Sequence, residues 1–176
     1  MIFLVKTMNM IKEELIKECK RQEESCLYTS TMLYIWLKWA RLFNAVLIGL
    51  PIILSSVSTL SVLQQICPIF TTSCALLAGI IPTVYISLGF KANVNEISSL
   101  AAEFKNLQDR FRQAATIESL KEEVHFNNHF EMLFSRLELA RSRSITPPEC
   151  CFEKARKKIK IGDYNFLVDK NQPRHD

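Results

Sequence analysis

From Leu42 to Phe90 the chain carries no charged side chain, although charges are frequent on either side, with Arg41 and Lys91 at its edges. One transmembrane helix needs roughly 20 predominantly apolar residues. The interval is too long for one such helix and fits two with a tight turn between them. Gln64, Gln65 and Pro68 interrupt two apolar runs, about Leu42–Leu63 and Ile69–Phe90. Each run spans roughly 30 Å as an α-helix, the thickness of the hydrocarbon core. A buried hairpin in a soluble core is the alternative. The remaining chain is too short to wrap two such helices on all sides. The sequence therefore predicts an all-α membrane protein built on a two-span hairpin.

The expected organisation is a cytoplasmic N-terminal helix over 1–40, the hairpin over 41–90, a helical hairpin over 91–143, and a short helix with a tail over 144–176. Lys38 and Arg41 precede the first span, Lys91 follows the second, and the turn has no cation. The positive-inside bias then puts both termini in the cytoplasm and only the turn outside. Trp36 and Trp39 suit an interfacial anchor. Met1–Val5 is too short for a signal-peptide core, and Met1, Met8 and Met10 are all candidate starts. Cys19, Cys26, Cys150 and Cys151 fall on the reducing side, Cys67 at the turn and Cys74 in the second span, with no zinc-finger spacing.

Helical periodicity continues outside the hairpin. Met8, Ile11, Leu15 and Cys19 share one face, and Tyr28, Met32, Ile35, Trp36 and Trp39 extend an apolar face toward the first span. A break near Ser25–Ser30 is an open alternative. After the second span, Ile97, Leu100, Phe104, Leu107 and Phe111, then Ala114, alternate steps of three and four, a coiled-coil-like seam. It is expected to continue the second span directly. Its partner is the N-terminal helix, the next helix, or another subunit, and it is the candidate oligomer seam. Leu120, Val124, Phe130, Leu133, Phe134, Leu137 and Ala140 form a further face, folded back by a turn near Ala115–Glu118. A last helix is expected to start with Thr146 as N-cap, Pro147 at N1 and Glu149 at N3, and to stop at Gly162. Asp163–Asp169 reads as an extended segment and Lys170–Asp176 as a frayed end.

Ser55, Ser56, Ser58, Thr59 and Ser61 in the first span, and Thr71, Thr72, Ser73, Thr83 and Ser87 in the second, bond their own helix, pack a neighbour, or line water. Ser55, Ser58 and Thr59 are the candidate pore-lining residues. Ala75, Gly79 and Thr83 make a small face for close helix approach. Pro51 and Pro82 permit kinks. With no charge in either span, a proton relay or ion-coupled transport is disfavoured.

Signs of catalysis are scarce. His125 and His129 share a helix face with Glu122 one turn away, but a metal site needs more ligands, so a solvated face is the default. Only four glycines occur, with no phosphate-binding loop and no nucleophile elbow. No enzyme activity and no cofactor are expected. The basic run Lys154, Arg156, Lys157, Lys158 and Lys160 is a solvated helix end or a contact for anionic lipid. Nucleic acid is not expected, since no aromatic residues interleave with the charges.

The two-span hairpin, the helix before it, the long helix after it, and an ending of Pro148, Ala155, Ile159, Gly162, Tyr164 and Asp169 resemble the SLATT family, the SMODS- and SLOG-associating two-transmembrane effectors of bacterial conflict systems. The resemblance covers nearly the whole chain. It implies an inner-membrane effector that assembles as a homo-oligomeric pore. It also implies a response to a nucleotide signal from a linked nucleotidyltransferase, or an association with a reverse transcriptase. A membrane-anchored interaction protein without pore activity is the alternative.

Overall fold

The computed structural model describes residues 2–63 and 68–162, with side chains over 10–60 and 68–162. It is all-helical, with no strand among the described residues: α1 (Ile2–Leu63), α2 (Pro68–Ser87), α3 (Phe90–Thr116), a 3₁₀ turn at Glu118–Leu120, α4 (Glu123–Ser142) and α5 (Glu149–Ile161). The N-terminal helix and the first apolar run are thus one helix. No break occurs at Ser25–Ser30. Thr29 Oγ1 donates to the Ser25 carbonyl at 2.9 Å and Ser30 Oγ to the Leu27 carbonyl at 3.1 Å. The hydroxyls that could have diverted the backbone bond along the helix instead.

The expected direct continuation of α2 into α3 is interrupted. Leu88–Gly89 form a turn, and Gly89 adopts φ +58°, the left-handed region that glycine enters without a Cβ penalty. Gly89 N–H donates to the Ile86 carbonyl at 3.1 Å. The Gly89 carbonyl accepts from Ala92 N–H at 2.9 Å and Asn93 N–H at 3.2 Å. One residue therefore ends one helix and begins the next.

The chain forms two compact units, α1 through Trp36 with the chain from Ser99 onward, and Leu37–Ser98. Both boundaries between the units lie inside helices, one in α1 and one in α3. In the first unit, α1 contributes Cys19, Gln22, Cys26, Ser30 and Leu33 at steps of three and four. From α3 come Leu100, Phe104, Leu107, Phe111 and Ala114, and from α4 Phe126, Phe130, Leu133, Leu137 and Ala140. Phe111 meets Phe130 edge-on, with ring centroids 6.4 Å apart, and Phe130 stacks on Phe134 at 5.8 Å. Around this core, Arg141 donates to Gln22 Oε1 at 2.8 Å, Arg136 pairs with Glu103 at 3.3 Å, and Lys12 Nζ donates to the Lys121 carbonyl at 3.3 Å.

Several expected faces shift. Leu120 is 83% exposed and Val124 is also exposed. Leu120 lies in the 3₁₀ turn and α4 starts only at Glu123, so Phe126 is the first core residue of α4. On α1, Ile11 and Trp39 are exposed, while Tyr28, Met32, Ile35 and Trp36 are half-buried; Met8 lies outside the described side chains. α5 starts two residues beyond the expected site. Pro148 is its N-cap at φ −58°, ψ 145°, with no side-chain cap bond. The residue before a proline is pushed out of the α region. Pro147 precedes Pro148, so no helix can start there, and Thr146 caps nothing. At the other end, Gly162, at φ 85°, donates to the Ile159 and Lys158 carbonyls. The tail readings beyond it lie outside the described residues.

Phe111 is fully buried, so Phe111→Ala should cost about 3–5 kcal/mol. Gly89→Ala should cost about 1–2 kcal/mol, because the left-handed conformation persists. Gly79→Ala, with open space around a Cβ, should cost nothing comparable. Thermal melts in one detergent check the order. A Gly89→Ala melt equal to wild type would refute the left-handed turn.

Candidate functional site

The unit Leu37–Ser98 holds the two helices long and apolar enough to cross a membrane. Gln64, Gln65 and Cys67 of the expected turn lie outside the described residues. α2 opens on Pro68, whose missing N–H costs nothing in the first turn of a helix.

The two helices meet along narrow stripes. On α1 the stripe is Asn44, Leu47, Pro51, Leu54 and Ser58, alternating steps of three and four. On α2 it is Thr71, Cys74, Ala78 and Tyr85, with Cys74 the most buried. Two polar bonds join the stripes. Tyr85 OH donates to Asn44 Oδ1 at 2.6 Å, and Ser58 Oγ donates to the Thr71 carbonyl at 3.2 Å. Nearer the end of the unit, Arg41 donates to Ser98 Oγ at 3.3 Å. Ile97 is buried here, whereas the rest of the α3 seam belongs to the other unit.

Most of the remaining hairpin surface is exposed and carries large apolar side chains interspersed with hydroxyls: Ile52 is 64% exposed, Ile69 78% and Ile86 74%. The hydroxyls are nearly all spent within their own helix. Ser55 and Ser56 donate to the Ile52 carbonyl, Thr59 to Ser55, Thr72 to Pro68, Ser73 to Ile69, Thr83 to Gly79 and Ser87 to Thr83, at 2.8–3.1 Å. The candidate lining residues therefore divide. Ser55 and Thr59 are exposed, and Ser58 is turned into the hairpin against α2. Ala75, Gly79 and Thr83 are also exposed, and a Cβ on Gly79 would meet nothing within 4 Å. Close approach inside the chain uses the neighbouring stripe of Thr71, Cys74 and Ala78.

The Asn44–Tyr85 bond is the feature that periodicity did not reveal. Its signal is Asn44, the one carboxamide in residues 42–60. An amide in an apolar helix needs a partner.

The seam residues Leu100, Phe104, Leu107 and Phe111 are each at most 3% exposed. They find their cover within one chain. His125 Nδ1 stands 3.6 Å from Glu118 Oε2, and Lys121 Nζ stands 2.9 Å from the same oxygen. The Lys121 hydrogen bond, with His129 and His125 adding charge, holds the Glu118 carboxyl below its usual range. Among the described residues no three His, Cys, Asp or Glu side chains could hold a metal ion. A cavity of about 380 Å³ between α1 and α4 is lined by Ile11, Leu15, Glu123, Val124, Asn127 and Asn128 and contains no nucleophile. Comparison with family models, with curated proteins and with solved structures finds no match.

Cys19, Cys26 and Cys151 are buried and Cys150 is exposed. Burial pushes the Cys19 and Cys26 thiols up to about 11, against an ordinary 9.0.

Two expectations follow from this geometry. Tyr85→Phe removes one inter-helix bond and should weaken hairpin pairing by about 0.6 kcal/mol, up to about 1.7, in a reversible unfolding titration. Tyr85→Phe with no effect would make the 2.6 Å contact energetically silent. Separately, an unfolded thiol ionises near pH 9 while Cys19 and Cys26 stay protonated to about 11. The stability due to burying them neutral is intact below pH 9 and declines as pH rises from 9 to 11. Cys19→Ala with Cys26→Ala should flatten melting temperature against pH across that window.

Proposed function

We propose that this chain is a two-span integral membrane effector of a bacterial conflict system. Its copies assemble in the inner membrane and permeabilise it. The observation that carries the membrane part is the outward apolar surface of the hairpin. Two helices cover one another on a single stripe each, and the rest of their surface carries Ile, Leu, Val and Phe with no charge from residue 42 to 90. Water would not support that surface; hydrocarbon would, because both helices satisfy their own backbones and most of their own hydroxyls. Lys38, Arg41 and Lys91 then favour cytoplasmic termini.

Assembly is supported by the outward face of Ala75, Gly79 and Thr83. A face of small residues with open space above it lets a second helix approach closely, where dispersion contacts accumulate. Ser55 and Thr59, exposed on the first span, are the hydroxyls such an assembly can turn toward water. The resulting pore is weakly selective and gated by packing or dewetting, since no charged ring is present. The conflict-system role, the nucleotide signal and the link to a nucleotidyltransferase or reverse transcriptase rest on the resemblance to SLATT effectors.

One observation favours the second reading, a membrane-anchored interaction protein. The α3 seam is closed inside a single chain, so the soluble unit presents no open heptad seam for self-association.

The experiment that separates the two uses a membrane-potential dye in induced bacteria. Wild type should depolarise the membrane when the activating partner is expressed beside it. Gly79→Leu should abolish depolarisation and lower the detergent-solubilised mass while insertion is unchanged, because the new side chain meets nothing in its own chain. Ser55→Leu should reduce permeabilisation at unchanged mass. Ser58→Leu is a poorer probe, since it displaces the bond to the Thr71 carbonyl. Topology is read at Cys150: an impermeant thiol reagent should modify it only after spheroplasts are lysed. A polarised wild type with the partner active leaves the anchored reading standing.

A further inference from the structure

We propose that the outward face of α5 docks onto the anionic phospholipid headgroups of the membrane that holds the hairpin, an inference that rests on the membrane reading above. Cys151 and Ala155 are buried and Ile159 half-buried, a stripe with steps of four that fixes which side of α5 faces its own unit. The other side is free of any packing duty. It carries Arg156, Lys157 and Lys160, all exposed and without an ion pair among the described residues; Lys154 and Lys158 widen the basic surface. The helix's two carboxylates, Glu149 and Glu153, stand in its N-terminal part; Glu153 shares the outward side, three and four residues before Arg156 and Lys157, and no carboxylate occurs from Lys154 to Ile161.

Apolar groups flank these cations. Ile161 is 79% exposed at the end of the helix, and Phe152 is exposed near its start. Cations with outward apolar side chains suit the headgroup boundary, where the charges meet phosphates and the apolar groups reach the acyl region. Nucleic acid fits less well, because no aromatic residue interleaves with the cations between Lys154 and Ile161 for bases to stack on. A cation near an anionic leaflet raises the docked fraction about fivefold, so three acting together give about a hundredfold. The attraction is screened by salt.

Cys150 reports on this face directly. It is exposed and lies seven residues before Lys157, two turns away on the same side. The full-length protein is reconstituted into phosphatidylcholine vesicles, or into an equimolar mixture with phosphatidylglycerol. Vesicle flotation is measured, and Cys150 is labelled with an uncharged polyethylene-glycol maleimide and quantified by peptide mass. Labelling should be several-fold slower in the anionic vesicles. It should recover in high salt and in the triple variant Arg156→Gln, Lys157→Gln, Lys160→Gln. Equal rates in both lipids, with the protein floating in both, would overturn α5 docking and leave the membrane reading intact. Slowing that survives the triple variant would also overturn it. Slowing caused by a soluble oligonucleotide and not by phosphatidylglycerol would assign the face to nucleic acid. A protein that floats with neither vesicle fails both readings.

Discussion

A pair of helices cannot enclose a core. Each can cover only one stripe of the other, and in the unit Leu37–Ser98 that stripe runs through Asn44, Pro51 and Ser58 on one side and Thr71, Cys74, Ala78 and Tyr85 on the other. Everything beyond the stripe must be acceptable to whatever surrounds the pair. The surrounding side chains are apolar, and the hydroxyls among them are folded back onto the carbonyls three or four residues earlier. Such a surface has few donors left to offer water, although each hydroxyl oxygen can still accept.

The other unit solves the opposite problem. Helices from α1, α3 and α4 each contribute an inward face, and the faces close around Phe111, Phe126 and Phe130. Polar side chains at the margin, chiefly Arg141 with Gln22 and Arg136 with Glu103, tie the helices where the core meets solvent. These marginal pairs set the register more than the stability, since exposed ion pairs contribute little.

How much of this the residue order discloses depends on the kind of signal. The pair of long apolar helices is legible because the absence of charge over residues 42–90, between stretches where charges are frequent, is a strong mark. The α3 seam is legible because a period of three and four residues in an otherwise polar helix singles out one face. The packing face of α2 is not legible in that way. Ala75, Gly79 and Thr83 and the neighbouring Thr71, Cys74 and Ala78 are both runs of small residues, and a helix that is apolar all round gives periodicity nothing to discriminate. The α4 face was misplaced at Leu120 and Val124 because a turn, not a propensity, decides where α4 begins. The start of α5 was misplaced because the pair Pro147–Pro148 overrides the capping pattern of Thr146. Gly89 ends α2 through its left-handed backbone, which periodicity does not signal.

The two polar bonds across the hairpin differ in kind, and that difference has an evolutionary consequence. Tyr85 and Asn44 bond side chain to side chain, so each depends on the identity of the other. Ser58 bonds the backbone carbonyl of residue 71, which any amino acid at that position supplies. Positions 44 and 85 should therefore drift together among descendants of this sequence. Position 58 is constrained to a small donor, while substitution at 71 leaves its acceptor intact.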